Sequence, residues 1–367
     1  MRCFLLLWLM LYCLSCQNPY RVLSAYETIE FAERPKNIIL VIGDGMSVAQ
    51  ISAALYASKD PLYIEAMPVV GLHKTHSLSD LITDSAASAT AFATGKKTYN
   101  NAIGVDADSL PLYTIAEEAR DRGYATGLVT TVPITHATPA AFMAHEVNRA
   151  FPENIALDLA ESGTDLLIGG GKKFFDRRKD DRNLLREMQK KGYRTETYLN
   201  RNLDEVALGT EDKLIYLTAD SAPLGVNEGR DYLPFVAKFA PRFLARRSEK
   251  GFFLMLEAGQ IDWAGHANQG SRVLSEMKDF NLALGNILRY AAENKETLVI
   301  VTADHETGGM ALNKNGKSKK PKLEFTTNGH TAQLTPLFAY GPGAKYFSGI
   351  YDNTAVYRKM QKAWGWK

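Results

Sequence analysis

The feature that most constrains this chain is a short apolar run that recurs along it and ends each time in polar residues. Ile38-Ile39-Leu40-Val41-Ile42 is continuously apolar and runs straight into Gly43-Asp44-Gly45-Met46. An unbroken run of this kind marks a strand buried on both faces. The pattern repeats at Ala125–Thr131 before His136-Ala137-Thr138-Pro139 and at Phe252–Leu256 before Glu257. It appears again at Leu298–Thr302 before Asp304-His305-Glu306. Leu166–Ile168 ends in three glycines, Leu214–Leu217 ends in Thr218-Ala219-Asp220, and Leu337–Tyr340 follows His330. Helical patterns lie between the runs. Leu112–Arg122 is one, and Ser271–Asn294, with Val273, Leu274, Met277, Phe280, Leu284, Ile287 and Leu288 on one stripe, is the clearest. Strands alternating with helices predict an α/β fold, a single large domain with a central, mostly parallel β-sheet and helices on both faces. In such a sheet a ligand site lies beyond the carboxyl ends of the strands, where this chain places its acids, histidines and hydroxyls.

A length of 367 residues is enough for that core, and a formal net charge of +2 leaves no basic excess to argue for nucleic acid. The N-terminus departs from the rest. Residues 1–16 join a short positive start, Met1-Arg2, to an apolar run too short to span a membrane, which reads as a secretory signal peptide. All three cysteines, Cys3, Cys13 and Cys16, fall inside it, so a processed chain has no disulfide and no thiolate metal ligand. Leu14-Ser15-Cys16 is similar to a lipoprotein cleavage site, which leaves two outcomes open: a lipid anchor on Cys16, or simple export. Residues 17–34 read as a tether and 35–367 as the folded domain. Lys314–Lys322 reads as a solvated loop. Residues 160–247 carry charge runs without recognisable chemistry and read as helices with a variable insertion.

Thr83-Asp84-Ser85-Ala86-Ala87-Ser88-Ala89-Thr90-Ala91-Phe92 places one acid directly before one serine at the start of an Ala-rich helix. A serine there sits among unpaired N–H groups at the positive end of a helix dipole, an environment suited to phosphate. A plain N-cap in front of a buried helix would have the same pattern.

Metal-competent residues tip that balance. Glu257, Asp262 and His266 fall within ten residues of one another past a buried strand, and Asp262 and His266 share a face if the turn is helical. Zinc favours His with carboxylate, and Mg²⁺ favours carboxylate, hydroxyl and water. Asp304-His305-Glu306-Thr307-Gly308-Gly309 is a second constellation, whose glycines allow adjacent Asp and His to face one ion. Asn328-Gly329-His330-Thr331 is a third. Thr138-Pro139 caps an expected helix from Ala140 to Asn148, and Arg149, at its far end, has the fork geometry for two phosphate oxygens.

Taken together these motifs resemble the alkaline phosphatase family from about Pro35 onward. The resemblance implies phosphate monoester hydrolysis (EC 3.1.3.1) through a phosphoserine on Ser85, with Arg149 on the substrate phosphate. It implies two zinc ions and one magnesium per subunit. Asp262, His266 and His330 would hold one zinc, and Asp44, Asp304, His305 and the Ser85 oxygen the other. Asp44, Thr138 and Glu257 would hold the magnesium. His136 and Trp263 would lie beside the substrate, and that pair is most similar to cold-adapted bacterial members. The short stretch from His305 to His330 implies a reduced surface insertion, and the family implies a homodimer. The N-terminal signal predicts export, to a periplasmic or cell-envelope location.

No residue obviously reads the alcohol group, which predicts broad specificity for small phosphate monoesters. Two rival readings share parts of the pattern. A diesterase or sulfatase would use a similar cage, but Ser85-Ala86-Ala87-Ser88-Ala89 lacks the Cys/Ser-x-Pro-x-Arg context of sulfatases. An exported zinc- or phosphate-binding protein would need the ligands but no serine beside them.

Overall fold

The computed structural model describes residues 29–207 and 213–366. The expected signal segment, Cys16 and residues 17–28 of the expected tether lie outside the described residues. Among the described residues the strands are β1 (Asn37–Gly43), β2 (Val69–Lys74), β3 (Ala125–Pro133), β4 (Leu166–Gly170), β5 (Tyr193–Thr197), β6 (Lys213–Leu217), β7 (Phe252–Ala258), β8 (Thr297–Thr302), β9 (Glu306–Thr307), β10 (Ala311–Asn313), β11 (Lys322–Glu324), β12 (His330–Thr331), β13 (Thr335–Tyr340) and β14 (Gly349–Asp352). The helices are α1 (Val48–Ala57), α2 (Ser85–Thr94), α3 (Ile115–Asp121), α4 (Ala137–Ala140), α5 (Pro152–Glu161), α6 (Lys173–Asp176), α7 (Leu184–Lys190), α8 (Leu203–Ala207), α9 (Tyr232–Ala245), α10 (Gln260–His266), α11 (Gly270–Asn294) and α12 (Ala355–Trp364).

Ten strands form one sheet in the order β14-β2-β13-β8-β1-β7-β3-β4-β6-β5. Only β13 opposes its neighbours, so the sheet is mostly parallel, as expected. The continuous apolar runs are explained by burial on both faces. Along β1, Ile39 and Val41 join one core cluster, while Ile38, Leu40 and Ile42 join the other. The first cluster packs under α1, α9 and α11, through Ile51, Phe243 and Phe280 among others. The second packs under α2, α3, α5 and α12, through Phe92, Ile115, Ile155 and Met360.

Several expectations change. Residues 160–247 are not an insertion, because β4, β6 and β5 complete one edge of the same sheet. No helix runs from Ala140 to Asn148. The chain leaves α4 after Ala140, and its backbone pairs instead with residues 101–103. Ile103 and Glu146 exchange N–H···O bonds of 2.9 Å, and Arg149 N donates to Asn101 O at 2.9 Å. The end of the expected tether is docked: Ile29 and Phe31 pack on the core, and the Phe31 ring meets Tyr340 edge-on with centroids 5.0 Å apart. The expected helix at Leu112–Arg122 begins only after Thr114, which caps α3 in a capping box with Glu117. The stretch from His305 to His330 is short, as expected, and forms two two-stranded ribbons, β9 with β12 and β10 with β11. Residues 313–320 are exposed.

Candidate metal centre and nucleophile

Four adjacent central strands, β8, β1, β7 and β3, deliver most of the site from their carboxyl ends. Asp44 follows β1, Glu257 is the next-to-last residue of β7, Asp304 and His305 follow β8, and His136 and Thr138 follow β3. Register fixes the depth, since Glu257 pairs with Ile42 on one side and Thr130 on the other. Gly45 turns the chain after Asp44 at φ +72°, and a Cβ there would stand 2.7 Å from Thr307 Oγ1.

Helix α2 starts at Ser85, and Asp84 is its N-cap. Asp84 accepts from Ala87 N at 3.0 Å through one oxygen, and from Asn101 N at 3.1 Å and Arg149 Nη1 at 3.0 Å through the other. Ser85 is buried, and its Oγ lies 3.2 Å from His305 Nε2. His305 Nε2 is also 3.2 Å from Asp304 Oδ2 and 3.6 Å from Asp44 Oδ1. The expected second zinc set, Asp44, Asp304, His305 and Ser85, therefore shares a centre.

The other set also converges. Helix α10 brings His266 Nε2 to 3.3 Å from Asp262 Oδ2, and His330 Nε2 lies 3.6 Å from Asp262 Oδ1 and 3.1 Å from His266 Nε2. The His305 and His330 rings stack with centroids 3.5 Å apart, so His330 faces both sets. The tautomers follow from the partners. His266 Nδ1 donates to Asn328 O at 2.6 Å, and His330 Nδ1 donates to Thr83 O at 2.9 Å. Carbonyls accept only, so each Nε2 is left to face the centre.

Asp44, His136 and Glu257 form a third cluster, which Thr138 accompanies. The Thr130 hydroxyl donates to Glu257. Arg149 Nη2 donates to His136 Nε2 at 3.0 Å, which places the His136 proton on Nδ1. Trp263 meets His136 edge-on, with centroids 6.2 Å apart. The residues named from sequence as nucleophile, phosphate-binding and metal candidates thus lie around one centre.

The electrostatics ask for cations. Burial, with Asp304, Asp262 and Glu257 nearby, pushes Asp44 well above the usual carboxylate range. Burial pushes Glu257 up to about 7, against the Thr130 and Thr138 hydroxyls, and Asp304 up to about 6. Burial also works against ionisation of Asp262, yet the His266 hydrogen bond and the nearby imidazoles hold it low. The Asp262 hydrogen bond raises His266 to about 9, while burial holds His305 well down. Burial and then Arg149 push His136 to about 3, so it is neutral. Both Asp44 oxygens, Glu257 Oε1, Asp304 Oδ2 and Thr138 Oγ1 are buried without a hydrogen-bond partner. Orphaned oxygens gathered with two facing imidazole nitrogens fit divalent cations, with the His-rich side suited to zinc and the carboxylate–hydroxyl side to magnesium.

Thr307 escaped the reading of the sequence. Its hydroxyl donates to Asp262 Oδ1 and accepts from His305 Nδ1 at 3.3 Å, so it joins ligands of both candidate zinc sets. Gln260 was missed as well. Its amide nitrogen donates to Thr131 O, Pro223 O and Leu224 O, which pins the start of α10.

Comparison with known proteins agrees with this geometry. A family profile described as alkaline phosphatase matches residues 35–318. Alkaline phosphatase 3 of Bacillus subtilis is 33% identical, over 89% of this chain and 88% of its own length. The structure of alkaline phosphatase from the Antarctic bacterium TAB5 superposes with a TM-score of 0.86 at 41% identity, covering 91% of this chain and 99% of that one. A variant of that enzyme with a histidine replaced by aspartate, with Mg bound in its M3 site, superposes at 0.85 with 40% identity over 92% and 100%. A profile over most of the chain, a relative matched along nearly its whole length and a shared fold place this phosphatase in the alkaline phosphatase family.

Proposed function

We propose that the protein hydrolyses phosphate monoesters through a phosphoserine on Ser85, with two zinc ions and one magnesium ion in the centre. The observation that carries this reading is the gathering of orphaned carboxylate oxygens and imidazole Nε2 atoms around one buried hydroxyl. Asp262, His266 and His330 would hold one zinc, Asp44, Asp304, His305 and Ser85 the other, and Asp44, Thr138 and Glu257 the magnesium. Bound there, the cations would supply Lewis-acid chemistry, neutralising the ester and lowering the pKa of a neighbouring hydroxyl.

The chain's own residues do the rest. Ser85 Oγ attacks phosphorus, a new O–P bond forms and the bond to the leaving alcohol breaks. Water then breaks the serine O–P bond and releases phosphate. Arg149, held by Asp84 and His136, is oriented to fork two non-bridging oxygens. The backbone N–H groups at the start of α2 face the same phosphate. His136 and Trp263, whose rings meet edge-on, would flank it. With no further group among the described residues to read the alcohol, specificity is broad. We further propose export to the periplasm or envelope, with Cys16 as a candidate lipid anchor, and a homodimer as in the family. Residues 35–367 form the catalytic unit in this reading.

The test compares p-nitrophenyl phosphate with bis-p-nitrophenyl phosphate, before and after chelation. The monoester should react far faster, lose its turnover in EDTA and regain it with zinc plus magnesium. A faster diester, or monoester turnover that survives exhaustive chelation, would overturn the assignment.

A further inference from the structure

Glu306 follows two candidate ligands but faces away from them. It is fully buried, and among the described residues no Lys or Arg pairs with it. Four donors satisfy its carboxylate. Gln50 Nε2 at 3.1 Å and Met310 N at 3.0 Å serve Oε1, while Gly309 N at 3.1 Å and the Thr331 hydroxyl serve Oε2. Local sequence sets part of this cradle. Gly308 and Gly309, at φ +93° and +55°, curl the chain back so that the N–H groups of residues 309 and 310 meet the side chain.

The same carboxylate joins segments that each carry a candidate ligand. Gln50 lies on α1, just after Asp44, and also binds Thr307 O at 3.0 Å. Thr331 follows His330. That segment is short and only partly covered. β12 is two residues long and pairs only with β9, and residues 332–334 are exposed. A ribbon of that size buries too little to fix a side chain by packing. Its polar anchors include His330 Nδ1 on Thr83 O, His266 Nδ1 on Asn328 O, the backbone bond from Gly308 N to Gly329 O, Gly329 N on Thr327 Oγ1, and Thr331 on Glu306. Of these, only the last ends on a fully buried carboxylate. A buried carboxylate with satisfied donors holds its geometry firmly, because leaving any member unpaired is costly.

We propose that Glu306, acting through the Thr331 hydroxyl, is a positioning residue for His330, and that it sets how firmly the cation on Asp262, His266 and His330 is retained. This rests on the proposal that the centre holds two zinc ions. Glu306→Gln places an amide N–H against Gly309 N–H, leaving that donor unpaired. Thr331→Val removes only the hydroxyl and keeps the shape.

The test is zinc and magnesium content, followed by elemental mass spectrometry during a timed EDTA challenge of the reconstituted full chain. Both variants should lose one zinc equivalent about tenfold or more faster than the unaltered protein, in the range that outer-shell changes produce. The second zinc should leave at the unaltered rate. If Glu306→Gln fails to fold, Thr331→Val decides alone. Loss curves that match the unaltered protein, or equal acceleration of both zincs, would overturn the proposal. An unaltered protein that takes up no zinc would instead sink the metal reading on which the proposal rests.

Discussion

Arg149 Nη1 donates to Asp84 Oδ2 at 3.0 Å, so the residue that caps the serine-bearing helix also aims the guanidinium. The opposite fork nitrogen rests on His136. Both contacts are made before any substrate arrives, so the arginine is pre-oriented and little side-chain entropy is lost on binding.

The first prediction follows from that fork. Arg149→Lys keeps the charge but loses the paired donors. A hydrogen bond to a charged group contributes about 1.5–3 kcal/mol, so kcat/KM for p-nitrophenyl phosphate should fall by roughly 10- to 100-fold. Steady-state kinetics checks this, and an unchanged value would remove Arg149 from the phosphate site.

A second concerns the proposed magnesium site. His136 is neutral, and its Nδ1 carries a proton, so it adds no charge opposite Asp44 and Glu257. His136→Asp adds a carboxylate that suits Mg²⁺. The magnesium concentration giving half-maximal activity should drop by about tenfold or more. Magnesium titration of zinc-loaded protein reads it, and an unmoved midpoint would contradict the placement.

The metal-free protein should depend on pH in a stated direction. His266 is raised to about 9 and Glu257 to about 7, each above its unfolded value. Each group therefore holds its proton longer when folded, and its contribution to stability is lost as pH rises through the folded value. Between pH 7 and 9 the melting temperature of chelator-stripped protein should fall. Zinc and magnesium, which replace those protons, should flatten the decline. A metal-free melting temperature that rises across this window would contradict the argument.

Thr307→Val tests the hydroxyl shared by Asp262 and His305. It leaves two buried polar groups without their partner, at a cost of about 1–3 kcal/mol. Chemical denaturation should show that loss, and zinc retention should weaken at the same time. Unchanged stability together with unchanged retention would show that the bridge contributes nothing.

Much of this was legible in the chain, for physical reasons. β1, β7 and β8 are buried on both faces, so their sequences are unbroken apolar runs. Asp44, Glu257, Asp304 and His305 stand out because each sits where such a run stops. β5, Tyr193–Thr197, was not legible. It is an edge strand whose Arg194 and Glu196 are only half-buried. β2 and β14, near the opposite edge and likewise only partly buried, carry no unbroken apolar run either. The missing helix after Ala140 failed because long-range pairing with residues 101–103 outweighed local propensity. Thr307 carried no local signal at all. Its importance is spatial, since Asp262 lies 45 residues away in the chain.

The most direct test of the central claim is trapping of the phosphoenzyme. The protein is mixed with ³²P-labelled monoester, quenched in acid and digested, and the labelled peptide is sequenced. The account predicts label on Ser85 and none in Ser85→Ala, whose turnover should be almost abolished. Full turnover by Ser85→Ala, or label on another residue of the unaltered protein, would contradict it.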